Sequence, residues 1–258
     1  MRAKQVLLPC LYSLSAIALT FLVGQLILWF FHDNTNVWAS ILFILMNLIP
    51  MFTAFVFVRI SGEIAGTWQM IKAAFTFHEK WYTYLAAAAV PLVYYGVSIL
   101  LGNVTFTGAP FAALLVQFPW TLLQGGLEEV GWRWYLQSHL CTKKSLPRFL
   151  LSMLLISFIW FLWHIPIYRL PWITGGSSNS LIFYFMILGN TFALGAVKEL
   201  SRSSVPCVAA HMLINTMAVS MLVGSNLKEV LLLAGVEILL SIVTVVVLFH
   251  KHTQRLFR

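Results

Sequence analysis

The chain has 258 residues, of which 60% are hydrophobic and only 9% charged, with a net charge of +8. Soluble domains carry about 25% charged residues, so this composition excludes an ordinary soluble fold and reads as a multi-pass protein of the cell membrane. The basic residues lie between apolar runs rather than in one patch, which argues against a nucleic-acid partner and makes the charge a signal of topology.

The first apolar run, Val6–Phe31, follows Met1-Arg-Ala-Lys-Gln. It is longer than the 7–15 residues, roughly, of a signal-peptide core and reads as an uncleaved first span. A helix needs about 20 apolar residues to cross the bilayer. Eight runs qualify: Val6–Phe31, Val37–Val58, Trp81–Leu101, Phe111–Leu136, Phe149–Ile165, Leu181–Val197, Pro206–Val223 and Val230–Phe249. The expected fold is all-α, one transmembrane domain over residues 1–258. Between the second and third runs, Ser61–His78 reads as an amphipathic helix on the inner surface, anchored by Trp68 and Lys72.

Orientation follows from charge. The N-terminus, the even-numbered loops and the tail hold 13 Lys and Arg residues, against only Arg169 and Lys228 in the other four loops. Positive charge is retained in the cytoplasm, so both termini are expected there. The three cysteines, Cys10, Cys141 and Cys207, fall in different segments without metal-type spacing, so neither a disulfide framework nor a cysteine zinc site is supported.

Within the spans, polar residues are few. The fourth run contains Gly125-Gly126-Leu127-Glu128-Glu129-Val130-Gly131-Trp132-Arg133. A charge near the bilayer centre costs roughly 2.5–3.5 kcal/mol, so three together need a reason. Residues four apart share a helix face; Glu129 therefore reaches Arg133 as a structural ion pair. Glu128 points about 100° away and lacks that partner. The fifth span carries Trp160 and His164, and the seventh carries His211 and Asn215. Glu237 stands alone in the eighth and reads as a protonated or hydrogen-bonded structural carboxyl. Ser177, after two glycines, reads as a turn.

Glu128, His164, His211 and Asn215 together suit the activation of water. A carboxylate or imidazole can take a proton; a histidine and an asparagine can donate to a developing oxyanion. They are expected to converge on one cavity, open to the cytoplasm or sideways to lipid. Counting helical rise puts Glu128 roughly 12–15 Å, His211 about 10 Å and His164 about 24 Å below the cytoplasmic ends of their spans, a mismatch that tilt must absorb. No HExxH occurs and Asp33 is the only aspartate, which disfavours the helix-borne zinc protease and two-aspartate designs.

The motifs resemble those of the CAAX protease and bacteriocin-processing family, whose relatives include type II CAAX prenyl endopeptidases and the Abi proteins. EExxxR is matched by Glu128, Glu129 and Arg133, FxxxH corresponds to Trp160 through His164, and HxxxN is matched by His211 and Asn215. Order and spacing agree over about Phe111 to Met217. Trp160 replaces the usual phenylalanine, and Trp134 stands where many members have glycine.

The resemblance implies an intramembrane endopeptidase without a covalent intermediate and without a metal cofactor. Glu128 and His164 would activate water, His211 and Asn215 would form the oxyanion site, and Glu129 and Arg133 would hold the fourth span. Partners would be the bilayer and a peptide or membrane-protein substrate, with or without a lipid group. Two alternatives stay open: a non-enzymatic transporter, bacteriocin-immunity factor or scaffold, and a zinc protease using Glu128, His164 and His211.

Overall fold

A computed structural model describes residues 2–142, 144–173 and 179–256; Ser177 and its glycine turn lie outside the described residues. The order is α1 (Arg2–Phe30), α2 (Val37–Ser61), α3 (Thr67–Phe75), α4 (Trp81–Leu100), β1 (Val104–Phe106), α5 (Phe111–Thr121), two π-helical segments (Leu122–Gly126 and Val130–Gln137), α6 (Ser138–Leu140), α7 (Leu146–His164), α8 (Ser180–Leu200), α9 (Val205–Met217), β2 (Met221–Val223) and α10 (Leu227–Leu256). Among the described residues, six helices are long and apolar enough to cross a membrane by length and composition: α1, α2, α4, α7, α8 and α10. Their outward faces are apolar, as lipid contact requires; Leu14, Phe52, Leu92, Leu151 and Leu239 are all exposed.

The fourth and seventh expected spans take other shapes. Phe111–Leu136 is not one continuous α-helix. The chain leaves helical geometry at Gln124 (φ −107°, ψ 53°) and Gly125 (φ 134°, ψ −49°). Two successive glycines weaken a helix, and only glycine adopts such a φ cheaply. The carbonyl freed at Gln124 is recaptured by Asn215, whose Nδ2 donates to it at 2.8 Å. Such a break inside a membrane is tolerated where neighbouring protein satisfies the backbone.

Pro206–Val223 likewise ends its helix at Met217, and Met221–Val223 becomes a strand paired antiparallel with Val104–Phe106. Gly224 allows the close crossing: its N–H donates to the Asn103 carbonyl at 2.8 Å, and a Cβ there would collide with the Asn103 side chain.

Helix alternation sorts the loops onto two faces. One carries most of the basic residues and is cross-tied by polar contacts. His139 Nε2 meets Glu63 Oε1 at 2.9 Å, and Lys144 Nζ meets Glu199 Oε2 at 2.5 Å. Glu79 Oε1 accepts from the backbone N–H groups of Arg202 and Ser203 at 2.8 and 2.7 Å. The amphipathic helix expected on this face is α3. It buries Met70 and Ala74, exposes Trp68, and places Lys72 Nζ 5.4 Å from the Trp68 ring centroid. The opposite face carries β1 and β2.

The core gathers round the second π segment. Trp132 and Tyr135 are fully buried and pack edge-on or tilted against Tyr12, with centroids at 5.9 and 4.7 Å. The close helix approach falls at Gly131, where a Cβ would meet the Tyr12 hydroxyl and, at 2.6 Å, the Pro50 carbonyl. Trp134 is no obstacle to it: that ring packs against Phe55 at 6.0 Å.

Candidate active site

The second π segment and the turn before it position both glutamates. Glu129 Oε2 accepts from Arg133 Nε at 2.8 Å, the i, i+4 pair expected from the sequence. Its other oxygen accepts from His211 Nδ1, also at 2.8 Å. One fully buried carboxylate therefore ties its own segment to α9. Arg133 continues the network: Nη1 donates to the Thr191 carbonyl on α8 at 3.2 Å, and the guanidinium lies 5.4 Å from the Trp160 ring centroid. Charge-assisted bonds of this kind are the strong ones, and they pair a cation and an anion that lipid would not tolerate alone, while Nη2 of Arg133 is buried without a hydrogen-bond partner among the described residues.

Glu128 is also buried, but its carboxyl is held differently. Trp160 Nε1 donates to its Oε2 at 3.1 Å. A phenylalanine at 160 could not make this bond, so the departure from the usual motif adds a donor at the Glu128 carboxyl. His164, one turn after Trp160, donates from Nδ1 to the Trp160 carbonyl at 2.8 Å. A carbonyl can only accept, so the proton sits on Nδ1. In neutral His164, Nε2 is then left with its lone pair.

His164, His211 and Asn215 line one cavity of about 470 Å³, with Trp160, Tyr94, Tyr95, Tyr168, Phe183 and Asn190 also in its wall. The level mismatch counted from helical rise is thus absorbed; the Trp160 ring lies 5.3 Å from that of His164 and 5.6 Å from that of His211. Glu128 is not among the lining residues and is held behind by Trp160. Of the lining residues, Leu222 within β2 and Ser225 just after it are the exposed ones. That end lies away from the basic loops, whereas the sequence predicts a cavity open to the cytoplasm or sideways to lipid.

Gly125 packs against two of the lining residues. A Cβ there would strike Asn215 Nδ2 and approach His211 Nε2 to 2.9 Å. Those two nitrogens therefore converge on a stretch of backbone that only glycine permits. One N–H of the Asn215 amide serves Gln124, which leaves the second.

The sequence named Glu129, His211 and Trp160 but not two of the contacts they make, and Asn190 was missed. The Glu129–His211 bond joins residues 82 apart, and nothing in local spacing announces it. Trp160 contributes its indole N–H. Asn190 is a polar residue inside a span, a signal that was present: its Nδ2 donates to the Met186 carbonyl at 3.2 Å, while Oδ1 is buried without a partner among the described residues. Glu128, His164 and His211 do not gather as a zinc set; among the described residues no group of three His, Cys, Asp or Glu side chains is placed to hold a metal.

A family model, type II CAAX prenyl endopeptidase Rce1-like, matches residues 109–217. Over this segment the chain is similar to that family. The match contains all three motifs, the helix break and the cavity residues His164, His211 and Asn215. The likeness to the family rests on this segment. Curated proteins yield no match.

Proposed function

We propose that the chain is a membrane-embedded endopeptidase that hydrolyses peptide bonds with water as the nucleophile and no covalent enzyme intermediate. The observation that supports this reading most is the cavity shared by His164, His211 and Asn215, with His211 tethered to the buried Glu129 carboxylate.

Each residue has a task in this reading. His164 Nε2 accepts the proton of a water in the cavity, within ordinary hydrogen-bond reach of about 2.6–3.2 Å. Glu128 joins it when its bond to Trp160 opens, and supplies the second basic group. His211, oriented through Nδ1 by Glu129, directs Nε2 at the reacting carbonyl. When protonated it donates there beside the free N–H of Asn215, stabilising the oxyanion as charge develops. Proton return from His164 or Glu128 releases the amine. Glu129 and Arg133 position; they do not touch the reacting atoms. Because the three candidate zinc donors are not assembled, no step is routed through a metal.

The substrate is a peptide or a segment of a membrane protein. The test is incubation of the purified protein in nanodiscs with a peptide pool in ¹⁸O-labelled water. One labelled oxygen in each new C-terminal carboxylate, absent with Glu128→Gln, is the expected result. Cleavage that survives Glu128→Gln, or no cleavage by either form, would overturn the reading.

A further inference from the structure

We propose that the free edge of β2 is a docking strip for an extended peptide, which arrives from the face opposite the basic loops and pairs with the strand backbone to backbone. The proposal rests on the endopeptidase reading for its purpose, but on independent geometry for its place.

The ladder fixes which backbone groups are spent. Thr107 N–H donates to the Ser220 carbonyl at 3.0 Å, and Gly224 N–H donates to the Asn103 carbonyl at 2.8 Å. Along an antiparallel strand, the groups facing a partner alternate with a period of two. Ser220, Leu222 and Gly224 therefore face β1. Met221 and Val223 direct their N–H and C=O groups the other way, where no third strand lies among the described residues.

The cavity lies along that second edge. Met221, Leu222, Val223, Gly224 and Ser225 all line it. Successive side chains of a strand point to opposite faces, so side chains alone would not place five consecutive residues on one wall. Gly224 has no side chain to offer. The backbone edge itself borders the cavity. An unpaired edge is a ready template for another strand, and strand addition gives affinity through main-chain bonds.

The occupant's chemistry follows. The wall beside the strip is formed by Tyr94, Phe183, Met186 and Ile187, so the peptide carries uncharged, largely apolar side chains. It needs free N–H groups at alternate positions, which excludes proline there. The strip joins the α4–α5 connection to the α9–α10 connection, and both lie on the face poor in lysine and arginine. By the charge rule that face is non-cytoplasmic. The substrate class is an extended, non-cytoplasmic segment of a peptide or membrane protein.

The experiment uses full-length Glu128→Gln protein in nanodiscs and a fluorescent short peptide of Ala, Val and Gln, alongside its analogue N-methylated at alternate residues. The unmethylated peptide should bind about tenfold more tightly or better, the effect of edge hydrogen bonds that can no longer form. Val223→Pro removes an edge donor while leaving the β1 ladder intact, and should weaken binding of the unmethylated peptide by about the same factor. Thr105→Ala, on the partner strand, should leave it unchanged. In sealed vesicles of defined orientation, the impermeant peptide should bind only where the face poor in basic residues is outward.

Equal binding of the two peptides, no binding of either, or binding only at the basic face overturns the proposal; the peptide comparison decides even if Val223→Pro misfolds. Methyl-sensitive binding without hydrolysis by the unmodified enzyme would keep the strip and remove the endopeptidase reading. Hydrolysis with methyl-indifferent binding would do the reverse.

Discussion

Two buried glutamates, Glu129 and Glu237, occupy the same kind of interior and are treated oppositely. Glu129 has a partner on each oxygen, Arg133 and His211, both at 2.8 Å. Both carboxyl oxygens of Glu237 on α10 are buried without a hydrogen-bond partner among the described residues. That side chain packs where Gly189 lacks a Cβ and lines an apolar cavity of about 260 Å³ with Ala86, Val90 and Ala193. A single helix, α8, serves both: Thr191 accepts from Arg133, and Gly189 makes room for Glu237. Burial of a carboxyl therefore does not make a site. What distinguishes Glu129 is that its charge is spent on orienting a histidine that faces a cavity.

The contrast is broken most severely at the paired carboxylate. Arg133→Leu or Glu129→Gln leaves a buried partner uncompensated, a loss of about 3–5 kcal/mol. Unfolding of the purified variants should show it, together with reduced folded yield and loss of activity. Unchanged stability would mean that the network does not hold the fold. Gly125→Ala comes next. It adds a Cβ at φ 134° against Asn215 and His211, at a cost of about 1–3 kcal/mol. Activity should fall further than stability, because the displaced groups are those facing the reacting carbonyl; full activity would refute the close approach.

Trp160→Phe keeps an aromatic ring near Arg133 but removes the donor to Glu128, at about 1–3 kcal/mol for the unsatisfied acceptor. Its unfolding midpoint should drop modestly and its pH–rate profile should shift, since Glu128 loses a restraint. A profile identical to that of the unmodified enzyme would place Glu128 outside the chemistry. The smallest effect is expected at Glu237→Leu, which removes an unpartnered buried carboxyl and should change stability by no more than about 1 kcal/mol in either direction. Destabilisation as large as that of Glu129→Gln would erase the contrast between the two glutamates.

What was legible beforehand follows the range of each interaction. The i, i+4 rule placed Arg133 on Glu129, and hydropathy found the apolar helices, because both depend on neighbours in sequence. The basic loops share a face, as their charge implied, and α3 lies there with Trp68 exposed. The shapes of spans four and seven were not legible because hydropathy does not report backbone geometry: Gln124-Gly125-Gly126 sits in an apolar run yet breaks its helix, and Met221–Val223 is as apolar as a helix end yet pairs as a strand. The glycine pair was the available warning. The Glu129–His211 bond could not be read from spacing, since it exists only once α9 is packed against the broken helix. The opening of the cavity beside β2 was hidden for the same reason.

The most direct measurement compares Glu128→Gln with Glu129→Gln in one hydrolysis assay, each with its unfolding curve. Glutamine at 128 keeps an oxygen for the Trp160 N–H but cannot act as a base. The account predicts that Glu128→Gln is inactive with an unfolding midpoint close to that of the unmodified protein, while Glu129→Gln is both less stable and less active. A fully folded, inactive Glu129→Gln beside an active Glu128→Gln would contradict it and transfer the role of base to Glu129.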